Sequence, residues 1–295
     1  MLRGLNTAAA GMIASQRRHD TITNNIANLN TPGYKANFAV QRSFPEMLIT
    51  LYGGGGGTNA HRTVIGRMHT GVFAEEATAL HLQGDLVETR NPSDFALISN
   101  IQIPGIQFDA SGKFVTPEGE RIFQPQAMFA VRAPDGQERY TRNGKFTVDA
   151  AGQLVTPDGY LVLDSQRRPI RLDGSGTDVK VTPQGVLIDG FTGAPLLDED
   201  GQPLAFLIVR VDDPNRLIRE GNGNFRLPEG DGLPPAAAPE DGVEVLQGFV
   251  ERSNVDPVQA TVDLMSAARV YEANQRVVQF LDRSLEKAVN EVGRV

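Results

Sequence analysis

Gly4-Leu5-Asn6-Thr7-Ala8-Ala9-Ala10-Gly11-Met12 opens a run that continues to Asn30, and stepping alternately by three and four from Leu5 lands on Ala8, Met12, Ser15, His19, Ile22, Ile26 and Leu29. That spacing is the heptad seam of a long helix. At the far end of the chain the same stepping from Leu264 lands on Ala268, Tyr271, Gln275, Val278, Asp282, Leu285 and Val289, while Ala267, Val270, Val277, Leu281 and Ala288 widen the stripe. Helices of this size have no core of their own, so each stripe must be buried against the other or against neighbouring copies. The sequence therefore predicts a coiled-coil-like stem made of the two chain ends, and a chain built to assemble.

Between the ends, the pattern changes to turns and short strands. The first helix stops at Asn28-Leu29-Asn30, and Thr31-Pro32-Gly33-Tyr34 places Pro and Gly at the centre of a type II turn. Residues 36–71 are expected to be a linker or extended loop, because Gly53 to Gly57 carry no side chain to anchor the backbone. A phosphate-cradling loop needs a Gly-Lys-Ser/Thr ending, and here the glycines run into Thr58-Asn59. From 72 to 249, turn signals such as Pro134-Asp135-Gly136, Asn143-Gly144 and Pro183-Gln184-Gly185 recur closely and predict an all-β region of hairpins. Asp109 to Gly119 recurs as Asp149 to Gly159, a displacement of 149 − 109 = 40, so one hairpin is used twice. Two copies fall short of a propeller or solenoid array.

Asp256-Pro257-Val258-Gln259 starts the last helix, with Asp as cap, Pro at the first helical position and Gln where a capping box wants it. Extending to about Asn290, it would be on the order of 50 Å long, against about 40 Å for the first helix. The predicted class is α+β: a discontinuous helical domain over 1–35 and 250–295, the linker over 36–71, and a β-rich domain over 72–249.

Composition narrows the function. The 28 basic and 36 acidic residues of the 295 give a net charge of −8, which argues against a nucleic-acid surface and leaves no basic block to hold a membrane. The absence of cysteine excludes disulfides, thiolate metal sites and a cysteine nucleophile. The longest apolar run, Leu204 to Val209, is far too short to span a bilayer. At the N-terminus, Arg17-Arg18 fall where a signal peptide would be cleaved, so any export is expected to proceed without a cleaved signal.

Chemistry-bearing motifs are weak. His19, His61, His69 and His81 lack the close helical spacing of a zinc site. Ser284-Leu285-Glu286-Lys287 matches a Ser-x-x-Lys pattern without its partner motifs, and Asp198-Glu199-Asp200-Gly201 departs from a calcium loop in its glycine and closing glutamate. Neither cofactor nor small-molecule substrate is expected. Two classes stay open: a structural self-assembling subunit, and an extracellular β-domain protein that binds or cleaves wall polysaccharide. The second needs a cleft with converging carboxylates.

Three motifs carry a resemblance. Gly4 to Met12 with Asn24-Asn25-Ile26-Ala27-Asn28-Leu29-Asn30-Thr31-Pro32-Gly33-Tyr34-Lys35 resembles the N-terminal signature of bacterial flagellar rod and hook proteins. Tyr140-Thr141-Arg142-Asn143-Gly144-Lys145-Phe146 resembles that family's shared hairpin, and Gly248-Phe249-Val250-Glu251-Arg252-Ser253-Asn254-Val255-Asp256-Pro257 with Ala268 to Asn274 its C-terminal signature. The length and hairpin look more like a rod protein, distal or proximal, than a hook protein. The resemblance implies a non-enzymatic subunit of the flagellar basal body, exported by the flagellar type III apparatus and polymerised with itself and other axial proteins. It further implies that the terminal helices form the inner wall of a tube with the β domain outside. One departure stands out: the family's apolar strand is split here between Asp94-Phe95-Ala96-Leu97-Ile98 and Met128-Phe129-Ala130-Val131, with an insertion near 99–127.

The expected assembly interface is Leu5, Ala8, Met12, Ile22, Asn25, Ile26, Asn28 and Leu29 at one end, and Leu264, Ala268, Tyr271, Asn274, Val278, Leu281 and Leu285 at the other. Within it the amides of Asn24, Asn25 and Asn28 are expected to fix register between packed helices.

Overall fold

The computed structural model describes residues 2–52, 62–109, 112–172, 179–198 and 200–292. The run Gly53 to Gly57, His61, Ser111 and Glu199 lie outside the described residues. The chain divides into two compact units, Met1–Ile26 with Asn37–Thr78 and Asp256–Val295, and Ala27–Ala36 with Ala79–Val255.

In the first unit, α1 spans Leu2–Ala27 and α2 spans Pro257–Lys287, ending in a π turn over Ala288–Val292. At 26 and 31 residues they are about 39 and 46 Å long. The start of α2 is fixed by Asp256, whose carboxylate accepts from Val258 N at 2.8 Å and Gln259 N at 3.1 Å. The helices approach antiparallel: a methyl on Gly4 would sit 3.4 Å from Leu281 Cδ1, one on Gly11 would sit 3.0 Å from Asn274 Nδ2, and Arg18 bonds Asp263 at 3.2 Å. These α1 positions recur every seven residues, one place ahead of the expected row Leu5, Met12 and His19. At Gly4 and Gly11 the neighbouring atoms of α2 are side-chain ones.

Within the expected linker, 36–71, the described residues include paired strands. Strands Gln41–Ser43 and Val72–Ala74 pair antiparallel, as do Met47–Tyr52 and Arg62–Met68. Along α1, Thr7 Oγ1 donates to Thr70 O at 3.1 Å, Gln41 Nε2 to Ala14 O at 3.1 Å and Arg17 Nη1 to Ala74 O at 3.2 Å. Paired backbone tied to a helix by side-chain bonds is ordered structure. The glycines masked the signal because the flanking runs are amphipathic without a clean period.

In the second unit an eight-stranded antiparallel sheet is built around Gln126–Arg132, which pairs with Glu138–Thr141, Leu161–Val162 and Ile208–Val211. This central strand is a continuous apolar run buried on both faces. Ala127, Phe129 and Val131 point into one cluster with Phe95, Phe146 and Phe206, while Met128 and Ala130 point into another with Tyr140, Leu207 and Phe225. The four phenylalanines stack at centroid separations of 5.1 to 5.9 Å, the spacing aromatic pairs favour.

One loop geometry recurs through the sheet region. At Thr116, Ala133, Asp149, Thr156, Asp164, Thr182 and Asp198, the first residue donates its N–H to the carbonyl four places on and accepts at its own carbonyl from the N–H three places on. Where the first residue is Asp, its carboxylate caps the loop from inside: Asp149 Oδ1 accepts from Ala151 N at 2.9 Å and Gln153 N at 2.8 Å. The repeated hairpin keeps its register, with Val115 facing Arg121 in one copy and Val155 facing Leu161 in the other. The first copy stands as an isolated pair, Lys113–Val115 with Arg121–Phe123, and the second is part of the large sheet.

Candidate functional site

The expected interface residues fall into distinct environments. On α1, Ala8, Ile22 and Asn25 are buried, and Leu5, Met12 and Ile26 are half-buried. Asn28 and Leu29 lie beyond the helix in the turn that follows it, where Asn28 Oδ1 accepts from Thr31 Oγ1 at 3.1 Å. Within the subunit Asn25 is bonded to the backbone that follows the helix. Its amide donates to Asn37 O at 2.8 Å and accepts from Asn37 N at 2.9 Å, so it holds the returning chain against the helix.

On α2, Leu264, Ala268, Tyr271, Asn274, Val278, Leu281 and Leu285 are all half-buried, the side on which the α1 contacts at Asn274 and Leu281 occur. Open apolar surface lies beside that row. Val258, Val262, Met265, Val270, Val277 and Phe280 are between 47% and 73% exposed, and Phe280 stands at 70%. On α1, Ile13 is exposed as well.

Within the second unit, the three quoted motifs meet at one buried cluster of charges. Glu251 Oε1 accepts from Lys35 Nζ at 2.6 Å and from Gly84 N at 2.9 Å, and Glu251 Oε2 accepts from Arg142 Nε at 2.8 Å. The three side chains are 0–1% exposed. The remaining donors are satisfied by neutral oxygens: Lys35 bonds Leu82 O, and Arg142 bonds Ser99 Oγ, Ala127 O and Leu97 O. Such a cluster is not a source of stability by itself, but losing one partner costs about 3–5 kcal/mol.

Electrostatics follows from the count of two cations to one carboxylate. Burial pulls the Lys35 ammonium down to about 8; Glu251 opposes that fall and Arg142 adds to it. Burial would raise the Glu251 carboxyl, yet the charges of Arg142 and Lys35, with hydrogen bonds from Lys35 and the Gly84 amide, outweigh it and hold the group below its ordinary value. Burial, then the charges of Lys35, Arg219 and Arg142, push His81 down to about 3, so it stays neutral.

Backbone pieces cross at the same point. Gly33 takes φ 69°, as the predicted turn requires, and a Cβ there would lie 2.6 Å from the Arg142 carbonyl carbon. A Cβ on Gly144 would lie 1.7 Å from Phe95 O. Asn254 closes the cluster: its Oδ1 accepts from Ala36 N at 2.6 Å, and its amide donates to Leu80 O at 2.9 Å and Leu82 O at 3.2 Å. Arg219 covers Tyr34 with its guanidinium 4.3 Å from the ring centre and donates to Lys35 O at 3.0 Å.

None of Lys35, Arg142, Glu251 and Asn254 is among the expected interface residues. Their signal was present as single charged or amide residues inside short strand-like and turn motifs, where a solvated side chain is the ordinary reading.

Three family models match the chain: flagella basal body rod protein over residues 5–35, the flagellar hook protein FlgE/F/G D1 domain over 124–188, and the flagellar basal body rod FlgEFG protein C-terminal over 246–291. Over 297 residues, covering 100% of both chains, the protein is 36% identical to the flagellar hook-basal body complex protein FlhO of Bacillus subtilis. The chain belongs to the flagellar basal-body rod and hook protein family. It is also 30% identical to the flagellar basal-body rod protein FlgG of Agrobacterium fabrum, over 95% of this chain and 96% of that one. With the flagellar basal-body rod protein FlgF of Rhizobium meliloti the identity is 27%, over 99% of each chain. Family membership carries a structural role in the flagellum. Each of the three matched segments of this rod and hook family contributes one member of the buried cluster: Lys35, Arg142 and Glu251.

Proposed function

We propose that this chain is a structural subunit of the flagellar basal-body rod, exported by the flagellar type III apparatus and polymerised into a helical axial shaft. Its partners are further copies of itself and other axial proteins. In this reading the terminal helices, α1 and α2, line the inner wall of the tube.

The observation that carries the reading is the row of exposed apolar side chains on α2. Covering a side chain of the size of Val or Phe contributes about 1.5–3 kcal/mol, so several along one helix suffice to drive association between copies. A helix with its inner row partly covered and its flank open is suited to sit between neighbours. The test is Val262→Asp with Phe280→Asp in the full chain. The expected result is a monomer with unchanged circular dichroism that fails to assemble and leaves cells non-motile. Normal basal bodies containing the double variant would defeat the proposal.

A further inference from the structure

The charge cluster joins residues that are remote along the chain: Glu251 stands 216 positions after Lys35 and 109 after Arg142. Glu251 is the acidic group bonded to both cations among the described residues, and their other acceptors are neutral oxygens. The strand that brings it, Phe249–Glu251, pairs with Leu86–Glu88. That strand also supplies Glu251 O to Gly33 N at 2.8 Å, and Arg252 N just beyond it reaches Asp85 O at 2.8 Å.

We infer that Glu251 is the closing counter-charge of the β unit, which makes folding of residues 79–255 conditional on the arrival of the unit's last strand. Before that strand docks, closing the sheet over Lys35 and Arg142 would bury two cations with no anion beside them. Two like charges without a counter-ion in a dry interior are disfavoured strongly enough to keep the site open. Most of the sheet precedes residue 249 in the chain, so an incompletely delivered polypeptide would hold its apolar strands without their final lock. The inference concerns how the chain completes its own fold and holds whatever the subunit's place along the axis.

Pulse-labelled hydrogen exchange during refolding of the full-length chain tests it. The Gly84 amide, bonded to the Glu251 carboxylate, reports the cluster, and the Ala130 amide, bonded to Leu207 O at 3.0 Å, reports the central sheet. The expected result is that both gain protection in one kinetic phase. Sheet protection appearing at least about tenfold sooner than that of Gly84 would overturn the inference. Glu251→Gln is expected to lower equilibrium protection at Ala130 on the order of 10²- to 10³-fold. Adding Lys35→Met to it should recover at least about tenfold, because one surplus cation is gone. A double variant as unprotected as Glu251→Gln would show that packing rather than charge closes the unit, and would equally overturn the inference.

Discussion

Lys35 Nζ meets Glu251 Oε1 at 2.6 Å, the side chains 1% and 0% exposed, and burial works against the charge on Lys35. Its pKa falls from 10.5 in the unfolded chain to about 8 in the folded one. Between those values the unfolded chain keeps a proton that the folded chain has released, so stability must rise with pH across that window. Below about pH 8 both states are protonated and the contribution is flat. The expected gain attributable to Lys35 is up to about 3 kcal/mol, read as the difference between wild type and Lys35→Met in denaturant unfolding at pH values spanning the window. Wild-type stability that falls relative to that of Lys35→Met as pH rises would contradict the assignment.

Gly33 and Gly159 both have positive φ, 69° and 82°, but only Gly33 is crowded by backbone, since nothing lies within 4 Å of a Cβ at Gly159. Gly159→Ala is expected to cost about 1–2 kcal/mol from conformation alone. Gly33→Ala adds an overlap with the Arg142 carbonyl that neither segment can yield without breaking the cluster, and should cost at least about twice as much. Urea midpoints of the two variants measured side by side decide the matter.

Arg167 takes φ 62° at the loop position filled by Gly152, Gly159 and Gly201 in the sister loops. Its guanidinium bonds Glu138 and, at 3.0 Å, Pro234 O. Arg167→Ala and Arg167→Gly both lose those bonds, so their difference isolates the backbone term. Thermal unfolding should rank the glycine variant about 1 kcal/mol more stable. Equal stabilities would mean the loop relaxes out of the left-handed region.

The legible parts of the fold were those with local causes. Asp256-Pro257 announced α2, Thr31-Pro32-Gly33-Tyr34 announced the turn at φ 69°, and the Asp109 and Asp149 repeats announced two hairpins of the same register. Hydrophobic periodicity marked both terminal helices, and three positions of its first row, Ala8, Ser15 and Ile22, are buried. Strands Met47–Tyr52 and Arg62–Met68 were hidden by the glycines between them. The cluster of Lys35, Arg142 and Glu251 was least accessible, because burial of a charge depends on partners more than 100 positions away, and no local pattern encodes that distance.

The central claim is that the open flank of α2 is covered by other subunits in the assembled state. The chain contains no cysteine, so Phe280→Cys introduces a single reporter thiol at a site 70% exposed in the subunit. Its rate of modification by a maleimide should be that of a solvent-exposed thiol in monomeric protein and at least about a hundredfold slower in purified basal bodies, as expected for a buried interface position. Equal rates in the two states would contradict the account.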